Sequence, residues 1–319
     1  MKIVVLDGYT LNPGDLNWEK FSEIGELKVY DRTSPQDILE RTTDANIVLT
    51  NKTVLTAENI AAMNKVEYIG VLATGVNVVD LEYTKKTGIT VTNVPGYSGS
   101  SSAQMVFALI LELTNRVGHH SQTVTDGKWS ASKDFCYWDY PLVELEGITL
   151  GIVGYGGIGK AVARIGLAFG MNILIYNRSV PPDLPDGITY SDLDNLIHSS
   201  DIISLHCPLT PQTKGMINKE SLAQMKKTAY LINTSRGPLI VENDLADFLN
   251  EGRIAGAAMD VLDVEPPDKN CPLLTAKNCY ITPHIAWATI ASRERLMSIA
   301  VENIKSYLAG NPQNVVPRK

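Results

Sequence analysis

The first hundred residues alternate short apolar runs with segments of helical periodicity. The apolar runs predict strands at Lys2–Leu6, Leu27–Tyr30, Ile47–Thr50, Tyr68–Ala73 and Ile89–Thr92. The segments between them predict helices at Pro35–Arg41, Ala57–Met63 and Leu81–Lys86. Strands that alternate with helices form parallel sheets covered on both faces, and their functional loops follow the carboxyl ends of the strands. We therefore expect an α/β domain of this kind.

The same alternation resumes in the second half of the chain. Further strands are predicted at Ile148–Val153, Ile173–Tyr176, Ile202–Leu205, Tyr230–Ile232, Ala255–Met259 and Tyr280–Thr282. A final helix, from about Thr289 to Leu308, has no strand after it and is expected to pack back on the first domain. The predicted fold is thus two doubly wound parallel-sheet domains. A Rossmann domain, residues 100–287, is inserted into a flavodoxin-like domain formed by residues 1–99 and 288–319.

The glycine pattern Gly154-x-Gly156-x-x-Gly159 lies between a predicted strand and a predicted helix. In that context the first glycine allows a tight turn and the second allows backbone to approach a pyrophosphate. The third lets the helix pack on the strand, with the helix N-terminus directed at the phosphates. Such a string alone would more often be a plain turn, whereas its position here predicts a dinucleotide site.

A long helix and an aromatic segment join the two halves. The helix, about Ser100 to Arg116, is apolar on nearly all sides and is expected to be buried between larger bodies and to cross between the domains. Several aromatic residues crowd the irregular stretch that follows it: Trp129, Phe135, Tyr137, Trp138 and Tyr140. A monomer gains little from exposing such rings, whereas a subunit interface would bury them, so we expect a homodimer.

Composition narrows the functional classes. A chain of 319 residues suits two domains, and a net charge of −7 without a basic run gives no support for nucleic-acid binding. No stretch reaches the roughly 18 apolar residues of a membrane span. The N-terminus reads as a first strand and not as a signal peptide. Four cysteines lack metal-site spacing, which favours reduced thiols, no metal and a cytoplasmic protein: Cys136, Cys207, Cys271 and Cys279.

Three polar residues follow strands of the second predicted domain: Arg236, Glu265 and His284. Singly, each has a plainer explanation, as a surface ion-pair partner, a solvated loop charge or a core histidine. Together they match hydride transfer to a 2-oxo acid. Histidine can deliver a proton near neutral pH, a carboxylate on its other ring nitrogen fixes the tautomer, and arginine binds a carboxylate and polarises the adjacent carbonyl.

The chain resembles the D-isomer-specific 2-hydroxyacid dehydrogenases over essentially its whole length. The motifs that carry the resemblance recur in order: Gly154-x-Gly156-x-x-Gly159, His206-Cys-Pro-Leu-Thr210, Asn233-Thr-Ser-Arg-Gly237, Ala258-Met-Asp-Val261, Glu265-Pro-Pro267 and Thr282-Pro-His-Ile-Ala-Trp287. Within the family, three segments are most similar to the glycerate dehydrogenase and hydroxypyruvate reductase branch: Leu6-Asp-Gly-Tyr9, Thr50-Asn-Lys-Thr53 and Pro283-His-Ile-Ala-Trp-Ala288.

The resemblance implies a role for each site residue. Arg236 would anchor the substrate and its carbonyl, His284 would be the acid–base and Glu265 its orienting partner. Substrate would bind at Lys52, Ala73, Thr74 and Gly75. The alternative for Lys52 is a solvated lysine, and Trp287 could serve packing or substrate equally well. The cofactor would contact Gly154, Gly156, Gly157, Ile158, Gly159, Asn177, Arg178, His206, Cys207, Pro208, Thr213, Thr234, Ser235, Asp260, His284 and Ala286, with Asp260 at the nicotinamide carboxamide.

One departure concerns the cofactor. NAD enzymes usually place an acidic residue about 20 positions after the glycines, where it bonds the ribose 2′-hydroxyl. Here Asn177 and Arg178 stand at that position. Asn177 does not repel a 2′-phosphate and Arg178 could bind one, so we expect NADP(H) to be tolerated or slightly preferred over NAD(H).

The expected reaction is reversible hydride transfer between NAD(P)H and a small 2-oxo acid. Hydroxypyruvate or glyoxylate would be reduced to D-glycerate or glycolate. Formate dehydrogenases resemble this pattern but carry Gln at the position of Glu265. Two alternatives stay open, a phosphite dehydrogenase with the same three residues and a corepressor that senses NAD(H) on the same scaffold.

Overall fold

The computed structural model describes residues 1–316, and it divides the chain into two compact units. The first unit comprises Met1–Ser98 together with the chain from Ala288 onward, and the second comprises Gly99–Trp287. The last three residues of the segment predicted to complete the first domain, 317–319, lie outside the described residues.

The first unit is built on a five-stranded sheet in which all strand pairs are parallel. Its strands are β1 (Lys2–Val5), β2 (Glu26–Val29), β3 (Ile47–Thr50), β4 (Tyr68–Val71) and β5 (Thr90–Thr92). Their spatial order, β2-β1-β3-β4-β5, is the flavodoxin-like order. The helices of this unit are α1 (Glu19–Ser22), α2 (Ile38–Thr42), α3 (Ala57–Ala62), α4 (Leu81–Thr87) and α11 (Ile290–Leu308), and Pro35–Asp37 forms a 3₁₀ turn.

The second unit has a seven-stranded parallel sheet. Its strands are β6 (Thr149–Val153), β7 (Asn172–Tyr176), β8 (Ile188–Tyr190), β9 (Ile202–Leu205), β10 (Tyr230–Asn233), β11 (Gly256–Met259) and β12 (Cys279–Ile281). The order β12-β11-β10-β9-β6-β7-β8 is the Rossmann order extended by one strand. The sequence order reverses between β6 and β9, which is where such sheets bind ligands.

Helices cover both faces of this second sheet. They are α5 (Gly99–Asn115), α6 (Val117–Thr125), α7 (Gly157–Ala168), α8 (Leu193–Ser199), α9 (Lys219–Gln224) and α10 (Glu242–Asn250), with 3₁₀ turns at Gly237–Leu239 and Pro272–Thr275. Consecutive strand residues enter opposite cores: Leu231 packs with α8, α9 and α10, while Ile232 packs with α5 and α7. Burial on both faces is why these strands are continuous apolar runs.

The predicted fold class is therefore confirmed. The helix expected to cross between the domains is α5, which belongs to the second unit and packs against α7, β10 and β11 there. Within residues 1–316, no helix is both long enough and apolar enough to span a membrane.

Candidate active site

The glycine loop turns β6 into α7 at the point where the strand order reverses. Gly154 has a φ of +102°, a conformation that L side chains rarely adopt. A Cβ there would lie 2.6 Å from the backbone of His206 and Cys207, and one on Gly159 would lie 2.1 Å from the carbonyl oxygen of Gly154. These two glycines are therefore required so that β6, α7 and the loop after β9 can approach one another.

Gly156 and Gly157 face open space, since a Cβ on either would meet no atom within 4 Å. No side chain among residues 1–316 caps the N-terminus of α7. The first backbone N–H groups of that helix thus have no side-chain partner, and the helix dipole favours an anion there. This part of the loop fits the diphosphate of a dinucleotide.

The loop after β9 carries a histidine whose ring has one unpaired nitrogen. The Nε2 atom of His206 lies 2.8 Å from Ser204 Oγ, whereas the buried Nδ1 has no partner within residues 1–316. Burial lowers the pKa of His206 to about 4, so the ring is neutral near pH 7. Its neighbour Cys207 is held near Met216, and burial raises the pKa of that thiol.

Thr213 fixes the shape of the same loop. Its hydroxyl donates to the carbonyl of the exposed Pro208 (2.8 Å) and accepts from the N–H of Thr210 (2.8 Å). In this structure Thr213 thus holds the loop that carries His206 and Cys207.

The end of β7 holds the pair expected to select the cofactor. The side chain of Asn177 accepts a hydrogen bond from the N–H of Tyr155 (3.3 Å) and donates to the carbonyl of Ser179 (3.1 Å). Arg178 is exposed, and within residues 1–316 it forms no hydrogen bond or ion pair. Asn177 therefore links the glycine loop to the end of β7.

Arg236 stands on a turn that a buried asparagine shapes. Asn233, at the end of β10, donates to the carbonyl of Arg236 (2.9 Å) and accepts from the N–H of Ser235 (3.0 Å). The Arg236 guanidinium is exposed and donates to the carbonyl of Ser235 (2.6 Å). Thr234, on the same turn, has a buried hydroxyl without a partner in the described residues.

Gly237 brings this turn against the loop that leads to Glu265. A Cβ at position 237 would lie 1.9 Å from the carbonyl carbon of Leu262 and 2.3 Å from the nitrogen of Asp263. Only glycine permits that approach.

His284 and Glu265 form the most distinctive contact of the unit. Nδ1 of His284 lies 2.6 Å from Oε2 of Glu265, and both side chains are about one-third exposed, at 30% and 34%. The other carboxylate oxygen, Oε1, accepts from the N–H of Leu262 (3.1 Å). The structure thus brings together two residues 19 positions apart, and the pairing directs the second ring nitrogen, Nε2, away from the carboxylate.

Asp260 holds the loop that bears His284. This buried carboxylate accepts hydrogen bonds from the Thr282 hydroxyl (2.5 Å) and from the N–H groups of Ile285 (2.9 Å) and Ala286 (2.8 Å). His284 itself has a φ of +55°, a left-handed conformation that costs about 1–3 kcal/mol in a residue other than glycine. Asp260 offsets that cost, and its carboxylate is engaged by the chain itself.

The residues expected to bind substrate lie in the first unit, after β3 and β4. The exposed Lys52 belongs to a loop whose three N–H groups, those of residues 51–53, donate to the carboxylate of Asp7 at 2.5–2.8 Å. After β4, the carbonyl of Ala73 accepts from the N–H of Val94 (3.0 Å), and the Thr74 hydroxyl donates to the carbonyl of Val94 (2.9 Å). Gly75 follows directly and is partly exposed.

Comparison with known proteins adds to this geometry. A family model described as D-isomer specific 2-hydroxyacid dehydrogenase, NAD binding domain, matches residues 107–286. A hydroxypyruvate reductase from Blautia hydrogenotrophica is 51% identical over 320 residues, and the alignment covers 99% of each chain. This chain belongs to the D-isomer-specific 2-hydroxyacid dehydrogenase family.

Further relatives of this 2-hydroxyacid dehydrogenase agree in sequence and in fold. A glycerate dehydrogenase from Methylorubrum extorquens is 40% identical, over 99% of this chain and 98% of its own. A D-lactate dehydrogenase from Aquifex aeolicus, solved with NAD and lactic acid, superposes with a TM-score of 0.84 at 32% identity, over 98% of this chain and 96% of that one. The predicted family is confirmed, and residues 107–286 form its nicotinamide-cofactor-binding domain.

Sequence reasoning missed two functions of aspartates in this 2-hydroxyacid dehydrogenase. The motif Leu6-Asp-Gly-Tyr9 gives Asp7 no role of its own, and the contact of Asp260 with the nicotinamide carboxamide stays a prediction. A sequence signal did exist, because each aspartate directly follows a run of four uncharged, buried residues, 3–6 and 256–259, where a carboxylate must find hydrogen-bond donors to be buried.

Proposed function

We propose that this 2-hydroxyacid dehydrogenase reduces a small 2-oxo acid, hydroxypyruvate or glyoxylate, to the corresponding 2-hydroxy acid, of the D configuration for glycerate. The observation that carries the proposal is the 2.6 Å contact between Nδ1 of His284 and the Glu265 carboxylate. It supplies the acid–base pair that carbonyl reduction needs. The names of the hydroxypyruvate reductase and glycerate dehydrogenase relatives support the same substrates.

His284 would deliver the proton of the reaction. With Nδ1 directed at Glu265, the ring holds its transferable proton at Nε2 and can pass it to the carbonyl oxygen as negative charge develops there. Glu265 holds the ring at Nδ1, and its bond to the N–H of Leu262 restrains its own carboxylate. In the reverse direction the same Nε2 would accept the hydroxyl proton.

Arg236 would bind the substrate carboxylate and polarise the carbonyl. Its guanidinium is exposed, and the turn that carries it is held by a hydrogen bond from Asn233. A charged donor is therefore accessible on an ordered backbone. We also assign substrate binding to Lys52 and to the backbone of Ala73, Thr74 and Gly75.

The dinucleotide would lie on the loop from Gly154 to Gly159. The N-terminus of α7 would hold its diphosphate. The Nδ1 atom of His206 and the hydroxyl of Thr234, which have no partner within residues 1–316, would face the dinucleotide. Arg178 would favour NADP(H). When bound, the nicotinamide supplies the hydride. Cys207, Pro208, Ser235 and Ala286 would complete the wall of this site.

Replacing His284 by Asn tests the proposal. Because the proton donor is lost while the glycine loop is untouched, kcat for hydroxypyruvate should fall by about 10²–10⁴-fold, with cofactor binding retained. Turnover is measured with hydroxypyruvate, glyoxylate, pyruvate and phosphite, using NADH and NADPH, or NAD⁺ and NADP⁺ for phosphite.

The matched control is His198→Asn, the same change at an exposed histidine of α8, which should leave turnover unaltered. Turnover of the His284→Asn enzyme close to that of the wild type would remove histidine from the mechanism. Activity on phosphite alone would contradict a 2-oxo acid substrate and would favour a phosphite dehydrogenase. Cofactor binding without turnover of any acid would favour a sensing protein.

We further propose a cytoplasmic homodimer. Among the aromatic residues after α6, Phe135 is 89% exposed, Trp138 65% and Trp129 50%. Rings exposed to this degree in one segment support an interface with a second copy. The four cysteines form no disulfide within residues 1–316, consistent with the expected reducing compartment.

A further inference from the structure

The loop that carries Glu265 has almost no apolar anchor. All eight of its residues from Asp263 to Asn270 are exposed, and burial begins again only at Leu273. An exposed loop gains little from the hydrophobic effect, so hydrogen bonds must define its position. That position matters, because the Glu265 carboxylate contacts His284.

One carboxylate outside the site contacts both ends of this loop. Glu242, the first residue of α10, accepts the N–H of Asp263 on Oε1 (2.8 Å) and the thiol of Cys271 on Oε2 (3.5 Å). Burial, together with the adjacent Glu242 charge, raises the pKa of the Cys271 thiol, which keeps the proton that it donates. Glu242 therefore closes the loop between residues 263 and 271.

From these contacts we infer that Glu242 is a positioning residue for the His284–Glu265 pair. Its bond to the N–H of Asp263 lies one residue beyond Leu262, whose own N–H holds Oε1 of Glu265. Without Glu242, the backbone that orients the Glu265 carboxylate loses its support on the α10 side. The inference rests on the proposed function of that pair, and it assigns no contact between Glu242 and substrate or cofactor.

Asp244 provides a matched control on the same helix. It lies in the same first turn of α10, where its carboxylate accepts the N–H of Lys219 (2.8 Å) at the start of α9. Both acids interact favourably with the positive end of the helix dipole, and both hold a neighbouring segment. They differ in that only Glu242 contacts the loop that bears Glu265.

The test compares Glu242→Ala with Asp244→Ala. We expect Glu242→Ala to lower kcat for the 2-oxo acid by about 10-fold or more, because small misplacements at a reacting centre are costly. KM should stay within about twofold, since Arg236 is untouched. Asp244→Ala should leave both constants unchanged.

A second readout needs no turnover. Imidazole NMR spectra of the full chain report the surroundings of the His284 ring, and the ring signals should shift in Glu242→Ala but not in Asp244→Ala. Cys271→Ala should shift the same signals, whereas Cys271→Ser, which keeps a donor for Glu242, should leave them as in the wild type. These variants cover the case in which Glu242→Ala fails to fold.

The outcomes separate the inference from the proposed function. Wild-type enzyme without turnover of any 2-oxo acid would contradict the proposed function, and the NMR signals of the His284 ring would still test the role of Glu242. Unshifted His284 ring signals and an unchanged kcat in folded Glu242→Ala would overturn the inference. Equal losses in Glu242→Ala and Asp244→Ala would also overturn it, because they would indicate a general effect of the helix end.

Discussion

At the scale of single residues, neighbouring hydrogen bonds orient the polar side chains of the candidate site. The two oxygens of Glu265 contact different partners, His284 and the N–H of Leu262, so that its orientation is set from both sides. Arg236 and Arg178 are exposed, yet each stands on a turn that an asparagine side chain bonds, Asn233 and Asn177 respectively. Reactive charge at the surface is thus combined with an ordered backbone.

Arg178 should influence the choice between cofactors. Because its guanidinium is free to bind a 2′-phosphate, Arg178→Ala should raise KM for NADPH by more than KM for NADH. The measurement is kcat/KM with each cofactor at fixed hydroxypyruvate. A wild-type enzyme that favours NADH by about tenfold or more, roughly 1.4 kcal/mol, would contradict an NADP(H) preference.

His206 should make stability depend on pH in a defined window. Its pKa is lowered by burial from 6.5 to about 4, so the unfolded chain takes up a proton there first. Its stabilising contribution is complete above pH 6.5 and is lost as pH falls to about 4, at a slope of about 1.4 kcal/mol per pH unit and roughly 3 kcal/mol in all. Denaturant unfolding across this range measures it.

His206→Asn should flatten that part of the profile. The carboxyls whose pKa values lie below 3.8, those of Asp15, Asp44 and Asp139, contribute stability that is lost only at more acidic pH, so they do not mask the effect. An identical slope between pH 4 and 6.5 in wild type and variant would show that His206 titrates normally.

At the scale of elements, two glycines of the same loop should have different effects when they are replaced, one on stability and the other on cofactor binding. Gly159→Ala forces a Cβ to 2.1 Å from the Gly154 carbonyl, so α7 must move off β6 and the melting temperature should fall. Gly156→Ala meets no atom within 4 Å, so it should melt like the wild type while its methyl group impedes the diphosphate. Thermal melts and NADH titrations of both variants check this. Equal losses of stability would contradict it.

Much of the element pattern could be predicted from sequence, because strands buried on both faces are unbroken apolar runs. The edge strand Ile188–Tyr190 carries no such signal, since it is only three residues long and has no fully buried residue. The apolar run Tyr68–Ala73 predicts too long a strand, because the strand ends at Val71. Apolar character alone does not mark where sheet pairing stops.

The pairing of Glu265 with His284 could be predicted from the sequence, whereas the hydrogen bonds that hold the loop of His284 could not. That Glu265 would meet His284 could be argued from the needs of an imidazole. That Asp260 accepts two N–H groups and a hydroxyl depends on the path of residues 282–286, which includes a left-handed His284. Backbone N–H groups are the same in every residue type except proline, so the sequence does not reveal where they point.

At the scale of the whole molecule, the segment after α6 should determine the oligomeric state. Polar contacts hold it to that helix, including His119 with Asp139 (2.8 Å) and Thr123 with Tyr137 (2.8 Å), while its largest rings face outward. Phe135→Ser with Trp138→Ser should convert a dimer into a monomer, measured by sedimentation. Val180→Ser, at a residue 62% exposed elsewhere in the unit, is the control. A wild-type monomer would contradict the proposal.

The hydrogen bonds between the Asp7 carboxylate and residues 51–53 have a consequence for the redesign of substrate specificity. Because that carboxylate binds the N–H groups of those three residues, the path of the loop does not depend on the Lys52 side chain. Substitutions at position 52, which we propose binds substrate, should therefore change which acids the enzyme accepts while the loop keeps its path. Position 7 offers no such latitude.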